Sequence, residues 1–344
     1  MRILVTGGAG FIGSTYVRHV LEHHPEDEVV TLDLLTYAGS LANLEGVLDD
    51  PRHRFVRGDI ADGELVESLV SQCDAVVNFA AETHVDRSLL DSTAFVRTNV
   101  NGVLTLLDAV SRNGKRMVQI STDEVYGDIF SGHYSREDDQ LLPRSPYAAA
   151  KAGGELMCRS YFISYGTQVL VTRGCNTIGP RQFPEKLVPL FVTNALRDQP
   201  LPVYGDGMQI RDWLHAEDHA AGVDLVLRYG QPGEAYNIGA GNEQPNLEVV
   251  KALLRHLDKP ESLLVHVPDR RGHDRRYALD ASKIRSELGW KPSRDFTQTL
   301  NDTIDWYVDN PGWWEAIRDE SSDFADYYER QYGWRLAAAG VGGK

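Results

Sequence analysis

The first 175 or so residues alternate short apolar runs with longer amphipathic stretches. "RILVT" at 2–6, "VVTLD" at 29–33, "RFVRGD" at 54–59, "AVVNFAA" at 75–81, "RMVQIS" at 116–121 and "VLVTR" at 169–173 read as strands. Residues 12–24, 62–72, 92–113 and 146–165 carry apolar side chains at helical spacing. Apolar strands alternating with helices predict an α/β fold: a doubly wound parallel sheet, covered on both faces and joined by right-handed crossovers.

After about residue 176 the texture changes. Pro and Gly become frequent, as in "GPRQFPEKLVP", "QPLPVYGDG" and "YGQPGEAYNIGAGNEQP". Helices are predicted near 246–257 and 297–309, and a third in "SKIRSELGW". This reads as a first domain over 1–176 and a smaller α+β lobe over 177–330, interleaved with it. "LHAEDHAAGVDLVL" and "AYNIGAG", within about 212–240, are expected to return to the first domain as a helix and a strand. The tail 335–344 is expected to be disordered.

Composition narrows the classes. Of 344 residues, 42% are hydrophobic and 25% charged, which fits a folded chain. A net charge of −15 argues against a broad nucleic-acid surface. Cys73, Cys158 and Cys175 have neither disulfide nor zinc-ligand spacing, so a reducing compartment and no metal site are expected. "MRILVTGG" leaves no room for a signal peptide, and no apolar run approaches a membrane span. The expected location is the cytoplasm.

Two motifs carry chemistry. "RILVTGGAGFIG" sets Gly7, Gly8, Gly10 and Gly13 between a strand and a helix. Both Gly8-x-Gly10-x-x-Gly13 and Gly7-x-x-Gly10-x-x-Gly13 fit a dinucleotide loop, where bare backbone and a helix N-terminus receive a pyrophosphate. Asp33 ends the second strand, 20 residues past Gly13, where a carboxylate accepts from a ribose diol and repels a 2′-phosphate. That points to NAD. Asp59 follows the third strand, within reach of an adenine. The second motif is "SPYAAAK": Ser145 caps a helix, Pro146 starts it, and Tyr147 and Lys151 share a face one turn apart. A neighbouring ammonium favours the phenolate, so the pair reads as a base. "AAAKAGG" keeps this helix thin enough for close packing.

A third feature is "STDEVYG" at 121–127. Asp123 and Glu124 sit at the mouth of an apolar strand, where burial without partners is costly. Taken alone, they fit an acidic turn after a strand better than a site.

"TGGAGFIG", Asp33, "NFAAETHVDRS", "NVNGVLTLLDA", "STDEVYG" and "YAAAK" together resemble the extended short-chain dehydrogenase/reductase family, from residue 1 to about 315. The resemblance implies a Rossmann domain holding NAD and a C-terminal lobe holding a nucleotide sugar. Thr122-Asp123-Glu124 resembles the nucleotide-sugar 4,6-dehydratases. "PEKLVPLFVTNAL", "PLPVYGDGMQIRDWLHAEDHA", "DRRGHDRRYALDASKI" and "WYVDNPGWW" resemble their dTDP-glucose branch. "CNTIGPRQ" departs from it: Asn176 is kept, but Thr177 and Ile178 stand where that branch has Asn-Tyr. A UDP-glucose dehydratase is the runner-up, and a 4-epimerase a more distant one.

By this resemblance Tyr147, Lys151 and Thr122 serve oxidation at C4, Glu124 is the base at C5, and Asp123 the acid at C6. Gly7, Gly10, Phe11, Ile12, Gly13, Asp33, Asp59, Ile60, Ala80 and Ala81 would line NAD. Thr83 would face the sugar. Asn176, Lys186, Leu187, Pro202, Tyr204, Arg211, Asn246, Arg271 and His273 would hold the nucleotide diphosphate of dTDP-glucose. Arg211 is the strongest phosphate ligand by chemistry, and a surface pair with Asp206 or Asp212 is its plain alternative. His84 and Arg87 are expected to support the site. Helices 92–113 and 146–165 resemble the pair that forms a homodimer interface.

Overall fold

The computed structural model describes residues 1–130 and 132–341. Seven parallel strands form the main sheet, in the spatial order 235–238, 168–174, 116–122, 75–78, 2–6, 28–33 and 53–57. Chain order reverses beside Arg2–Thr6. Its C-terminal end turns into the glycine loop, and the neighbouring Ala75–Asn78 leads into Phe79–Ala81. In open α/β sheets the crevice at such a reversal takes the ligand.

Apolar residues of these strands, among them Ile3, Val5, Val77, Val118 and Leu170, are buried against helices on both faces. One covering helix, Ala216–Tyr229, comes from far along the chain and packs against Phe11–His23, while Ala235–Ile238 adds the edge strand. A second core gathers Phe191, Trp213, Leu253, Ile304, Tyr307, Trp314 and Phe324. Around it lie a three-stranded sheet (243–245, 210–215, 176–178) and a two-stranded one (264–267, 201–204).

Two expectations change. The stretch 92–113 is not one regular helix. Thr93–Val96 widens into a π-type segment over Arg97–Gly102 before Val103–Arg112 resumes. The cause is local: Asn99 clamps the Glu82 backbone with two hydrogen bonds of 3.0 Å, and a Cβ on Gly154 would come within 2.5 Å of the Asn99 carbonyl. The thin helix is thus pressed against a bulge that anchors the cavity wall. The tail is also more ordered than expected. Trp334–Ala338 is helical, and Arg335 is buried, donating to the Pro268 and Gln331 carbonyls. Residues 342–344 lie outside the described residues.

Candidate active site

A cavity of about 310 Å³ opens at the reversal point of the sheet. Gly7, Gly10, Phe11, Ile12, Gly13, Asp33, Asp59, Ile60, Ala80, Ala81 and Thr83 line one end, and Thr122, Asp123, Glu124, Tyr147 and Lys151 the other.

The glycines divide the labour. A Cβ on Gly7 would strike the Ala80 backbone at 2.5 Å, and one on Gly13 would meet the Gly7 carbonyl at 2.2 Å, so both are demanded by tight packing. Gly7 also has φ +68°. A Cβ on Gly10 meets only the Gly7 carbonyl, at 3.2 Å, and Gly10 bares its backbone to the cavity. Gly8 is not on the cavity wall; its space is taken by Thr31. No side chain caps the first N–H groups of Phe11–His23, which leaves them for an anion. Asp33 is pinned by the Ala9 and Leu35 N–H groups at 2.9 and 2.8 Å. Asp59 already receives the Ala61 N–H and Arg97. This donor set, with a carboxylate and no cation at the ribose end, fits NAD.

At the other end, Pro146–Tyr165 begins with Ser145 capping Ala148 N–H at 3.1 Å. Lys151 is buried and its ammonium donates to the Ile120 carbonyl. The expected pull of Lys151 on Tyr147 is not found. Burial, with Glu124 and Asp123 nearby, pushes the phenol above its ordinary value, and only the Thr122 hydroxyl works the other way. The chain's own groups therefore hold Tyr147 as the neutral phenol.

Asp123 and Glu124 form a short turn at the end of Arg116–Thr122. Thr122 Oγ1 donates to Asp123 Oδ1 at 3.2 Å and accepts from Glu124 N–H at 3.3 Å. Asp123 Oδ2 is buried with no partner. Burial, then the Glu124 charge, pushes the Asp123 carboxyl up to about 8. Burial also raises Glu124, but Arg270, Arg211 and Lys186 all oppose it.

Glu124, Asn176 and Lys186 also line a second, smaller cavity of about 150 Å³. Leu187, Pro202, Tyr204, Arg211, Asn246 and His273 stand on its walls. Arg211 is 4% exposed and stacks over Tyr277 at 4.1 Å. Among the described residues it donates to the carbonyls of Ile210 and Asp274. The surface pair suggested for it does not exist: Asp206 binds Arg275, and Asp212 accepts from Gly241 and Asn242. A buried guanidinium without a carboxylate, beside Lys186 and Arg270, asks for an anion.

A model of the family described as GDP-mannose 4,6 dehydratase matches residues 4–303. The chain belongs to the GDP-mannose 4,6-dehydratase family.

The chain is 52% identical over 324 residues to a dTDP-glucose 4,6-dehydratase of Streptomyces antibioticus, covering 92% of this chain and 96% of that one. It is 53% identical over 309 residues to the low-salt glycan biosynthesis protein Agl12 of Haloferax volcanii, covering 90% and 99%. The crystal structure of DesIV, a dTDP-glucose 4,6-dehydratase from Streptomyces venezuelae with NAD and TYD bound, superposes with a TM-score of 0.90 at 51% identity, covering 92% of this chain and all of that one.

One predicted contact is misplaced by a residue. Arg271 is exposed and lines neither cavity. Arg270 lines the second cavity instead, with Asp86 at 3.4 Å, because the backbone of this segment is pinned through Asp269. Tyr204 faces this cavity, but its hydroxyl is held by Asp86 and Gln331 and its ring stacks on Tyr332. His84, with φ +93°, and Arg87 are supports: both bind Glu185, and Arg87 also lies 3.8 Å over Tyr37. Sequence reasoning passed over Glu185, Asp86 and Arg270. "PEK", "VDRS" and "DRRG" contained them, but adjacent charges in a loop give no sign of which one turns inward.

Proposed function

We propose that this chain converts dTDP-glucose to dTDP-4-keto-6-deoxyglucose and water. The observation that carries the reading is the split between Asp123 and Glu124. Moving a hydride needs no carboxylates. Losing water across C5 and C6 needs a base at C5 and an acid at C6, and two adjacent carboxyls can divide those tasks only when their surroundings separate them.

Gly10, the N-terminus of Phe11–His23, Asp33 and Lys151 would hold NAD. Bound there, NAD would supply the acceptor and later the donor of one hydride. Tyr147, once it has given up its own proton, takes the C4 hydroxyl proton as the phenolate while Thr122 binds the C4 oxygen. The C4 ketone then makes the C5 hydrogen acidic. Glu124, whose rise on burial Arg270, Arg211 and Lys186 oppose, removes that proton as its carboxylate. Asp123, kept protonated by burial, gives its proton to the C6 hydroxyl, which leaves as water. Glu124 returns a proton to C5 once C6 is reduced. Arg211, Arg270 and Lys186 hold the diphosphate, with Asn176 and Asn246 beside them.

The similarity to dTDP-glucose dehydratases favours dTDP over UDP. The test offers dTDP-glucose and UDP-glucose in separate reactions and reads the alkali-induced absorbance of a 4-keto-6-deoxy sugar. Signal from dTDP-glucose is the expected result. Signal from UDP-glucose alone would move the reading to that substrate.

A homodimer and a cytoplasmic location belong to the same reading. Leu156 (56% exposed) and Ile163 (64% exposed) lie two turns apart on one face of Pro146–Tyr165. An apolar face of this kind suits a matching copy. The three cysteines are free and buried, as a reducing compartment allows. No helix among the described residues is long and apolar enough to cross a membrane.

A further inference from the structure

The helix Phe11–His23 begins at the dinucleotide loop and ends in a cluster of histidines, "RHVLEHH" at 18–24. His19 and His23 are four residues apart on one face, and their rings stack at 4.4 Å. His23 is exposed and turned back on its own helix, where Nδ1 bonds the His19 carbonyl at 3.0 Å. His24 follows the last helical residue, and its φ of −128° and ψ of 81° carry it off the helix path. Its ring reaches the neighbouring helix, Ala216–Tyr229, where Nε2 meets Asp224 Oδ2 at 2.9 Å. The rings of His19 and His24 face each other edge-on, 6.2 Å apart. One ligand atom from each of His19, His24 and Asp224 lies within 4.8 Å of the other two.

We propose that His19, His24 and Asp224 bind a divalent transition-metal ion of the zinc class, which clips the end of Phe11–His23 to Ala216–Tyr229. Two imidazoles and one carboxylate suit zinc, whereas magnesium and calcium prefer oxygen alone. Zinc bonds of about 2 Å place neighbouring ligand atoms roughly 3.3 Å apart, with the fourth position left to water. The His24–Asp224 pair is already near that spacing, and a small rotation of the half-buried His19 ring closes the rest. Asp224 is 3% exposed and held in place. Tyr16 donates to its Oδ1 at 3.3 Å and Arg228 Nε to its Oδ2 at 2.8 Å. Arg228 also donates to Asp27 Oδ2 at 2.7 Å, so it keeps a carboxylate when Asp224 turns to the ion. The cysteine spacings that argue against a metal do not bear on a site built from nitrogen and oxygen. The three ligands line neither cavity, and the helix of 13 residues, about 20 Å long, separates them from the glycine loop. The ion is therefore a clamp between two helices and takes no part in the reaction.

The test titrates Zn²⁺ by calorimetry into the full chain, without an affinity tag and stripped of metal by a chelator, near neutral pH. One ion per chain is expected, and Mg²⁺ in its place should give no binding. His19→Ala and His24→Gln should each weaken Zn²⁺ binding by about 10-fold or more, the scale of losing support at a metal site. His23→Ala should bind as wild type does, because His23 is committed to the His19 carbonyl. Zn²⁺ in excess should raise the thermal midpoint of wild type and of His23→Ala, and leave that of His24→Gln unmoved. If His24→Gln does not fold, His19→Ala carries the same comparison. Binding lost in His23→Ala but kept in His24→Gln would mean an ordinary surface pair of histidines and would overturn the proposal. So would wild type that takes up no Zn²⁺, or uptake that none of the three substitutions changes.

Discussion

Asp123 and Glu124 are joined by one peptide bond; burial raises both carboxyls, and more cations oppose the rise at Glu124 than at Asp123. Asp123 turns into the protein, where one carboxyl oxygen finds no partner and burial holds the group protonated up to about pH 8. Glu124 stands where the two cavities meet, and three cations oppose its burial. In the proposed reaction the pair serves as an acid and a base side by side.

Substitution of either should stop the chemistry without emptying the site. Asp123→Asn and Glu124→Gln are each expected to cut kcat by ~10² or more, the usual scale for a general acid or base. Steady-state kinetics checks this, with NAD content and thermal midpoint as controls. Unchanged kcat in both variants would contradict the assigned roles.

The raised Asp123 carboxyl also makes a pH prediction. Its folded-state value, about 8, lies above the unfolded value of about 3.9. The folded state therefore binds more protons between those values, so Asp123 costs stability progressively as pH rises from about 4 to 8. Asp123→Asn removes that cost. The variant is expected to melt higher than wild type at pH 8.5 and to lose this advantage towards pH 4, as thermal melts across pH will show. Turnover of the wild type should fall as pH rises through about 8, where the acid is lost.

Much of this was legible in the chain. The glycine loop, Asp33 and the Tyr147–Lys151 pair are local motifs whose geometry follows from a strand, a turn and a helix, and the cavity collects them. The helix 146–165 was readable to the residue because Ser145 and Pro146 mark its start and Gly166 its end. The π-type segment at 97–102 was not, since it depends on Asn99 reaching Glu82 and on Gly154 approaching from another helix. The choice between Arg270 and Arg271 was hidden for the same reason. So was the electrostatic state of Tyr147, which is set by burial and by carboxylates that sequence spacing does not weigh.

The Arg270 correction can be checked directly. Arg270→Ala should raise KM for dTDP-glucose about 10-fold or more, as expected for loss of a charge-assisted contact. Arg271→Ala, at an exposed position, should leave kcat and KM within about 2-fold. The reverse pattern would restore Arg271 to the site.

In the proposed reading Asp33 holds the cofactor's ribose. Asp33→Asn removes that carboxylate's charge and weakens the anchor on Ala9 and Leu35. The purified variant should carry less NAD than wild type, measured by releasing the nucleotide and quantifying it. Equal NAD content would place the ribose contact elsewhere.

The central claim is elimination of water through a C4 ketone, and the most direct measurement is the isotopic fate of dTDP-glucose turned over in D₂O. Mass spectrometry and NMR should show a product one water lighter, with one deuterium at C5 and protium from C4 carried to C6. A product of unchanged mass inverted at C4, with no deuterium at C5, would mean that Asp123 and Glu124 do not serve elimination.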